Sequence, residues 1–593
     1  MKLKHWLPCL QWGREYNRRT ASQDGLAAVI VTLMLIPQSL AYAMLAGLPP
    51  VTGLYASILP LLAYAVFGSS RTLAVGPVAV VSLMTAAALT PIVPPGSAQY
   101  IGAAMLLALL SGLILAVMAM MRLGFLANFL SHPVVSGFIS ASGILIAVGQ
   151  LKHILGISAS GENLLQIVPA LVRVLPETHW QTTLIGTLSL AWLWWSRAQL
   201  KPLLNALGIP PAIAGNLAKA GPVLAIIAAI AVVSALQLDQ SGVSIVGVIP
   251  QGLPGLVMPT WDISLAVQLL PAALLISLVS FVESVSVGQT LAAKRRQRIE
   301  PDNELLGLGA ANLSAAFSGG FPVTGGFSRS VVNYDAGAQT PMAGVFTAAG
   351  IAISVLLLTP FLHNLPQAVL AATIIVAVLS LVDLGSLRRT WRYSRQDAAA
   401  QIITIFGVLM IGVEAGILLG VGLSLLLFLW RTSQPHVAVV GQVPGSEHFR
   451  NVERFEVIES PTVLSLRVDE SLYFPNARYL EDRISELVAK HPDVQYLVLM
   501  CSGVNLIDAS ALGSLETITE RLRAAGVQLH LSEVKGPVMD QLRRSSFLDH
   551  FGGQVFISQF QAFKALASEV ALSTLAQPHH LTALPTKAKR RNP

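Results

Sequence analysis

From Ala336 to Val382 the chain contains no Asp, Glu, Lys or Arg, and from Leu305 to Ser328 again none. Uncharged, largely apolar runs of this length exceed the roughly 20 residues that carry a helix across a bilayer, so lipid has to be part of the solvent in which the chain folds. Between the two runs stand only two charges, Arg329 and Asp335. A guanidinium at membrane depth is costly unless it faces a cavity or a partner. The residues ahead of it, Gly319-Gly-Phe-Pro-Val-Thr-Gly-Gly326, cannot sustain a regular helix. Broken backbone inside a bilayer is tolerated only where it is buried in protein or lines water. An extended piece leading into a short helix near Phe327 aims free N–H groups and a positive dipole end into such a space, with Arg329 beside it. That combination describes an anion site.

Of the 593 residues 53% are hydrophobic and 12% charged, which excludes a soluble globular protein and points to a polytopic membrane protein. The net charge of +7 does not indicate nucleic acid, because the basic residues form short clusters flanking apolar runs. Cys9 and Cys501 are too few for a disulfide framework. The basic N-terminus, residues 1–22, lacks the core and cleavage site of a signal peptide and reads as a cytoplasmic, interfacial lead-in helix anchored by Trp6 and Trp12.

Hydrophobic runs set against Gly, Pro and charge predict fourteen segments, at about 24–45, 50–67, 72–90, 98–121, 124–149, 181–196, 221–237, 264–292, 302–318, 320–336, 339–358, 365–382, 397–413 and 415–431. The third and tenth both open on an extended Gly/Pro-punctuated stretch, Arg71–Val80 in the third. Their offset of seven predicts two inverted seven-span repeats, about 23–237 and 264–432, with the interrupted pair marking a midplane site. Lys and Arg fix the orientation. Loops after even-numbered segments hold Arg71, Arg122, Arg197 with Lys201 and Lys219, the Lys294–Arg298 cluster, Arg388 to Arg395, and Arg431; loops after odd-numbered segments hold only Lys152 and Arg173. Both termini are therefore expected in the cytoplasm of a multi-pass protein of the inner membrane.

Past Gln434-Pro435 the apolar runs shorten. Strands at Thr462–Val468, Gln495–Met500 and Val527–Leu531 alternate with helices at Ala477–Ala489, Ser510–Ala525 and Val538–Arg544, a small cytoplasmic α/β domain over about 437–570. Residues 571–593, with Pro578 and the basic run Lys587–Arg591, show no core pattern and are expected to be disordered.

Three features in register resemble a known family. Pro37-Gln-Ser-Leu-Ala-Tyr-Ala-Met-Leu-Ala-Gly-Leu-Pro-Pro-Val-Thr-Gly-Leu-Tyr-Ala-Ser57 resembles the signature of the sulfate permease (SulP) family, Phe321–Asn333 its tenth-segment motif, and the C-terminal domain a STAS domain. The resemblance implies a fourteen-segment inverted-repeat fold shared with uracil transporters, a core domain moving against a gate domain in an elevator-type cycle, a homodimer, and secondary anion transport without cofactor or metal. It further implies that the anion lies between half-helices three and ten, closed by segments one and eight. Residue by residue this nominates Gln38 and Tyr42, then Val78, Ala79 and Val80, then Phe327, Ser328 and Arg329. On segment eight it nominates Glu283, a Glu where some bicarbonate-transporting relatives carry Asp in a sodium site.

Gln38 and Tyr42 lie four apart on one helix face, so an amide and a phenol can turn to one ligand; the plainer alternative is interhelical bonding beside Pro37. Arg329 either serves the substrate or pairs with Glu283 or Asp335. Protonation of Glu283 relieves repulsion with an incoming dianion, coupling proton entry to anion entry, while Ser280 and Ser286 within a turn of it leave sodium coordination open. In Leu506-Ile-Asp-Ala-Ser-Ala-Leu-Gly513, Ser510 occupies a place resembling the serine phosphorylated in anti-sigma-factor antagonists, but Ala509 and Ala511 depart from that pattern, and a cap at Asp508 or Ser510 is the plainer reading. No nucleophile–base pair or metal-ligand spacing appears at membrane depth, which argues against an enzyme. The expectation is proton-coupled sulfate uptake. Its rivals are sodium-dependent bicarbonate or C4-dicarboxylate transport and, from other classes, a passive anion channel or a membrane-tethered regulator.

Overall fold

The computed structural model describes residues 6–129, 131–210, 214–215, 218, 221–248, 250–259 and 261–583. Lys219 and the Lys587–Arg591 run lie outside the described residues. Two compact units divide after Ser424.

The first unit is helical. Asn17 caps α1 (Arg18–Leu45), its Oδ1 accepting the N–H groups of Arg19 and Thr20 at 3.0 Å each. The helix thus starts six residues before the expected 24, because a polar cap rather than the first apolar residue fixes its end. The N-terminal lead-in is correspondingly shorter than expected, a single helical turn at Cys9–Trp12. After α2 (Pro50–Tyr55) and α3 (Leu59–Phe67) the chain extends through β1 (Val75–Gly76) into α4 (Ala79–Leu89). There follow α5 (Ala98–Met120), α6 (His132–Leu155), α7 (Leu164–Val174), α8 (Trp180–Trp195) and α9 (Gly221–Leu236). The later half runs through α10 (Ile263–Lys294), α11 (Pro301–Phe317), β2 (Thr324–Gly325) and α12 (Phe327–Asp335). It ends with α13 (Met342–Leu357), α14 (Gln367–Leu379), α15 (Leu384–Tyr393), α16 (Arg395–Met410) and α17 (Val413–Ser433).

Helix falls within each expected segment. Among the described residues seven helical stretches are long and apolar enough, by length and composition, to cross a membrane. Among the described residues three α-helices fall outside the expected segments, the short Lys201–Ala206 helix, α7 and α15. α7 carries Pro169 inside it, and α15 is largely polar, so neither shows the uncharged run that marks a span.

Two groups of helices pack within this unit. α5 lies against α10 and α11, with α11 also on α3, while α6 lies against α8, α14 and α16. The α5–α11 contact is made by backbone: a Cβ on Gly112 would stand 2.8 Å from Leu313 N, and one on Gly309 3.0 Å from Ala116 N. Small residues let helices approach this closely and gain dispersion contacts where lipid offers no hydrophobic drive. The stretch Pro37–Ser57 is likewise a packing device. A Cβ on Gly53 would fall 1.9 Å from Ser39 O, and the buried Ser39 and Ser57 hydroxyls lie 2.7 Å apart.

Two buried carboxylates tie distant loops. Glu304 on α11 accepts from Tyr64 Oη (2.7 Å), Ser69 N (2.9 Å), Ser69 Oγ (2.7 Å) and Ser70 N (2.8 Å). It therefore holds the turn that leads into β1. Asp24 on α1 accepts from Gln339 N (2.6 Å), Thr340 N (3.2 Å) and Thr340 Oγ1 (2.5 Å), fixing the turn after α12. Charge-assisted bonds of this kind are worth roughly twice neutral ones.

The second unit holds a six-stranded sheet in the order β4-β3-β5-β6-β7-β8: β3 (Val437–Gln442), β4 (Phe449–Asn451), β5 (Val463–Val468), β6 (Tyr496–Met500), β7 (Gln528–Ser532) and β8 (Val555–Phe556). β3 pairs antiparallel with β4 and β5, and the pairs from β5 to β8 are parallel, connected through α18 (Ala477–Lys490), α19 (Ala509–Ala524) and α20 (Gly536–Arg543). α21 (Gln559–Leu566) and α22 (Ser568–Leu575) bury Phe560, Phe563 and Ala571 with Phe449 and Val498. The expected disorder of 571–593 is thus corrected as far as Ala583: α22 is helical, Thr574 O accepts from Gly445 N (2.9 Å), and Ala583 bridges to Phe455. The tail gains order by pairing with the β4 side of the sheet, a long-range contact that local composition does not encode.

Replacing Glu304 by Ala strands the Tyr64 hydroxyl and two backbone donors and should cost about 3 kcal/mol; the melting temperature of detergent-purified protein should fall, while Glu300→Ala leaves it in place. Burial, with the Glu533 charge adding to it, pushes the Cys501 thiol up to about 12. Iodoacetamide at pH 8 should therefore leave Cys501 unmodified in native protein and label it after denaturation, read by mass spectrometry.

Candidate anion site

β1 and β2 meet as a two-residue antiparallel ladder, Val75 opposite Gly325 and Gly76 opposite Thr324. Neither strand has enough length to persist alone, so side chains pin both. Asn312 on α11 donates to Val323 O and accepts from Val323 N, each at 2.9 Å. Ser284 on α10 accepts from Gly325 N (3.0 Å) and lies 2.8 Å from Thr324 Oγ1, which itself donates to Ser280 O (2.9 Å). From α12, Ser330 Oγ accepts from Ala74 N (2.9 Å) and Asn333 Nδ2 donates to Thr72 O (3.0 Å). α10 and α11 therefore fix β2, and α12 fixes the strand that faces it.

This ladder sets α4 and α12 starting from one place. Neither helix has a side-chain cap: the residues before them, Val78 and Gly326, are extended and offer no oxygen to the first turn. The first N–H groups of both helices are thus left for a ligand or water, at two positive dipole ends. Arg329, the third residue of α12, is 2% exposed. Its Nη1 donates to Pro77 O at 2.6 Å, while Nε and Nη2 are buried without a partner among the described residues. Glycine makes room for it. A Cβ on Gly326 would lie 2.9 Å from Nη2, and Gly76, whose φ of +153° suits glycine, lies under both terminal nitrogens.

Arg329 makes no ion pair within 4.0 Å among the described residues. The pairing with Glu283 or Asp335, the plainer alternative to a substrate role, is therefore not made within that distance. Glu283 instead faces a narrow apolar crevice lined by Val135, Phe138 and Ile139 of α6, Val279 and Val282 of its own helix, and Ile417 of α17. A cation, two helix N-termini and no touching carboxylate leave an uncompensated positive region in a low-dielectric setting, where an anion is the complementary charge.

Tyr42, Val78, Ala79 and Val80 are buried, Gln38, Ser328 and Glu283 half-buried, and Phe327 is 45% exposed although it heads a helix whose neighbours are buried. α12 packs on α1 and α10, which brings segments one, eight and ten together; α4 also contacts both α1 and α10. Sequence reasoning missed Asn312, Ser284, Thr324 and Ser330, which hold the ladder. It also missed Asp24 and Glu304, which stand at the edges of apolar runs, Asp24 as a lone acid and Glu304 as the last of the three acids in 300–304.

In the second unit Asp508 caps α19, accepting from Ala511 N at 2.8 Å, and Ser510 is exposed in the first turn.

Residues 22–404 match the model of the sulfate permease family, and residues 454–563 that of the STAS domain. The chain is 35% identical over 597 residues, 98% of its own length and 86% of the relative's, to the Arabidopsis thaliana protein named sulfate transporter 4.1, chloroplastic. It is 34% identical over 555 residues, 92% and 95% of the two lengths, to a Mycobacterium tuberculosis (strain ATCC 25618 / H37Rv) protein named as a probable sulfate transporter. Its fold resembles the structure of SLC26A9, with a TM-score of 0.87 at 23% identity over 96% of this chain and 94% of that one. It also resembles the transmembrane domain of the cyanobacterial bicarbonate transporter BicA, with a TM-score of 0.58 at 20% identity over 69% and 99%. The chain belongs to the sulfate permease family, a family of membrane permeases rather than enzymes, and carries a STAS domain.

Proposed function

We propose that this protein takes up sulfate by symport with protons. The observation that carries the reading is Arg329, a buried guanidinium with two unpaired nitrogens at the meeting point of two uncapped helices and with no carboxylate in contact. Sulfate presents four oxygens to such a set of donors. Arg329, the Val78, Ala79 and Val80 stretch that opens α4, and the first N–H groups of α12, at Phe327 and Ser328, hold the anion. Gln38 and Tyr42 close the pocket from α1. The sulfate transporters among the relatives support the choice of anion.

Glu283 carries the coupling proton. It lies within electrostatic reach of Arg329 but is not neutralised by it, so a proton on Glu283 offsets its repulsion of the arriving dianion. Ser280 Oγ, buried one turn away without a hydrogen-bond partner among the described residues, is the observation that favours sodium as the alternative coupling ion.

The cycle is of the elevator type. Two inverted seven-span repeats contribute one interrupted segment each, β1–α4 and β2–α12. The group around α5, α10 and α11 carries the site as a core domain, against a gate built around α6, α8, α14 and α16. The protein works as a homodimer in the cytoplasmic membrane with both termini cytoplasmic, and the STAS domain is regulatory, with Ser510 as its modifiable residue.

In proteoliposomes with an imposed inward proton gradient, labelled sulfate should accumulate, with succinate and bicarbonate competing weakly. Arg329→Ala should lower saturable uptake at least 100-fold while the protein stays folded by size-exclusion chromatography, as loss of a buried charge-assisted contact implies. Near-normal uptake by that variant would overturn the site. Glu283→Gln should abolish accumulation driven by the proton gradient yet keep exchange of sulfate for sulfate. If accumulation in wild-type protein follows sodium instead, the coupling ion is sodium; conductance without accumulation would make the protein a channel.

A further inference from the structure

A second positively charged hollow lies at the far end of α6. Lys152 and His153, in its last turn, line a cavity of about 360 Å³ together with Ser158 and Ser160 of the following loop and Gln367 and Ala368, the first residues of α14. No Asp or Glu lines it. At roughly 30 Å³ per water molecule it has room for a hydrated polyatomic ion.

Cations in the last turn of a helix are ordinarily explained by the dipole alone. That accounts for the position of Lys152 but not for what stands opposite it. α14 begins there without a side-chain cap, since the residue before it is Pro366, so a second helix aims its positive end into the same cavity. Gln367 is held in place by its backbone N–H on Ser244 O (2.9 Å) and its amide on Ile245 O (3.2 Å). The nearby Thr182 hydroxyl is engaged by His179 Nδ1 at 2.7 Å, whereas Ser158 and Ser160 are exposed. Lys152 has no ion pair within 4.0 Å among the described residues. It is also one of only two basic residues in loops where the charge pattern otherwise excludes them, so orientation in the membrane does not account for its presence.

We propose that this cavity is a second site for a tetrahedral oxyanion, separate from Arg329, with Lys152 as its principal cation. Hydroxyls of Ser158 and Ser160 and the Ala368 N–H, the one in the first turn of α14 that Ser244 O and Pro366 O leave open, complete the donor set. The same chemistry is offered by free sulfate or phosphate and by the headgroup phosphate of an anionic phospholipid. The site does not depend on Arg329 being the transport site.

The test uses full-length Arg329→Ala protein, from which the central guanidinium is gone. Inorganic sulfate titrated into it by isothermal calorimetry should still give saturable heat. Adding Lys152→Gln should weaken that binding on the order of tenfold or more, and Lys152→Arg should keep it. If Lys152→Gln does not fold, Ser158→Ala with Ser160→Ala should give the same weakening. In a parallel arm, phosphatidylglycerol retained by the protein is counted by native mass spectrometry after extraction from nanodiscs that also contain phosphatidylcholine. Lys152-dependent sulfate heat assigns the site to free anion, and Lys152-dependent phosphatidylglycerol without sulfate heat assigns it to the headgroup. If neither changes with Lys152, the proposal is overturned. Failure of the central site shows up separately, in the uptake of Arg329→Ala.

Discussion

Two hydrogen-bonded residues on each of two strands, Val75–Gly76 and Thr324–Gly325, hold the membrane unit's central arrangement together. So short a ladder would not survive alone in water or lipid. It exists because three neighbouring helices lend it polar side chains: Asn312 from α11, Ser284 from α10, Ser330 and Asn333 from α12. Each of these bonds satisfies backbone that the broken helices leave open, and in a bilayer no water stands ready to do so. The charge distribution follows from the same geometry. Once the two strands pair, the helices after them start side by side, their positive ends add, and Arg329 has space only because glycines flank it.

Three acids in this unit divide by whether their oxygens are filled. Glu304 and Asp24 accept several bonds each and act as ties between elements distant in sequence. Glu283, half-buried, sits against apolar side chains of α6 and α17 and has no such set of donors among the described residues. Hydropathy alone treats the three alike, since each interrupts or borders an apolar run. Their surroundings separate two structural anchors from one carboxylate set among apolar side chains.

Much of the architecture was legible because hydrophobic length and charge are local quantities. The apolar runs located the helices, and the glycines and proline of 319–326 marked the break that became β2. Arg329 announced itself by its isolation in uncharged sequence. What stayed hidden was long-range. The partner of β2 was suggested by analogy between segments three and ten, but the register of Val75 on Gly325 depends on Asn312 and Ser284, which look like ordinary small polar residues in helices. A contact between Arg329 and Glu283 was a fair inference from charge alone, yet the guanidinium takes Pro77 O instead, a backbone acceptor that no composition reveals. α15 and the helix at 568–575 were missed for the same reason. One is polar, the other short, and both are stabilised by what they pack on rather than by their own pattern.

The glycine contact between α5 and α11 bears on mechanics. Where Gly112 and Gly309 face each other, backbone rests on backbone with no side chain between, so neither helix can roll or slide without parting atoms already at van der Waals distance. The two rods therefore behave as one beam. Side-chain interfaces elsewhere can absorb a shift by changing rotamers, but this joint has no rotamers to change. Any displacement of one of these helices would have to carry the other with it and be taken up at the outer edges of the pair and in its connecting loops.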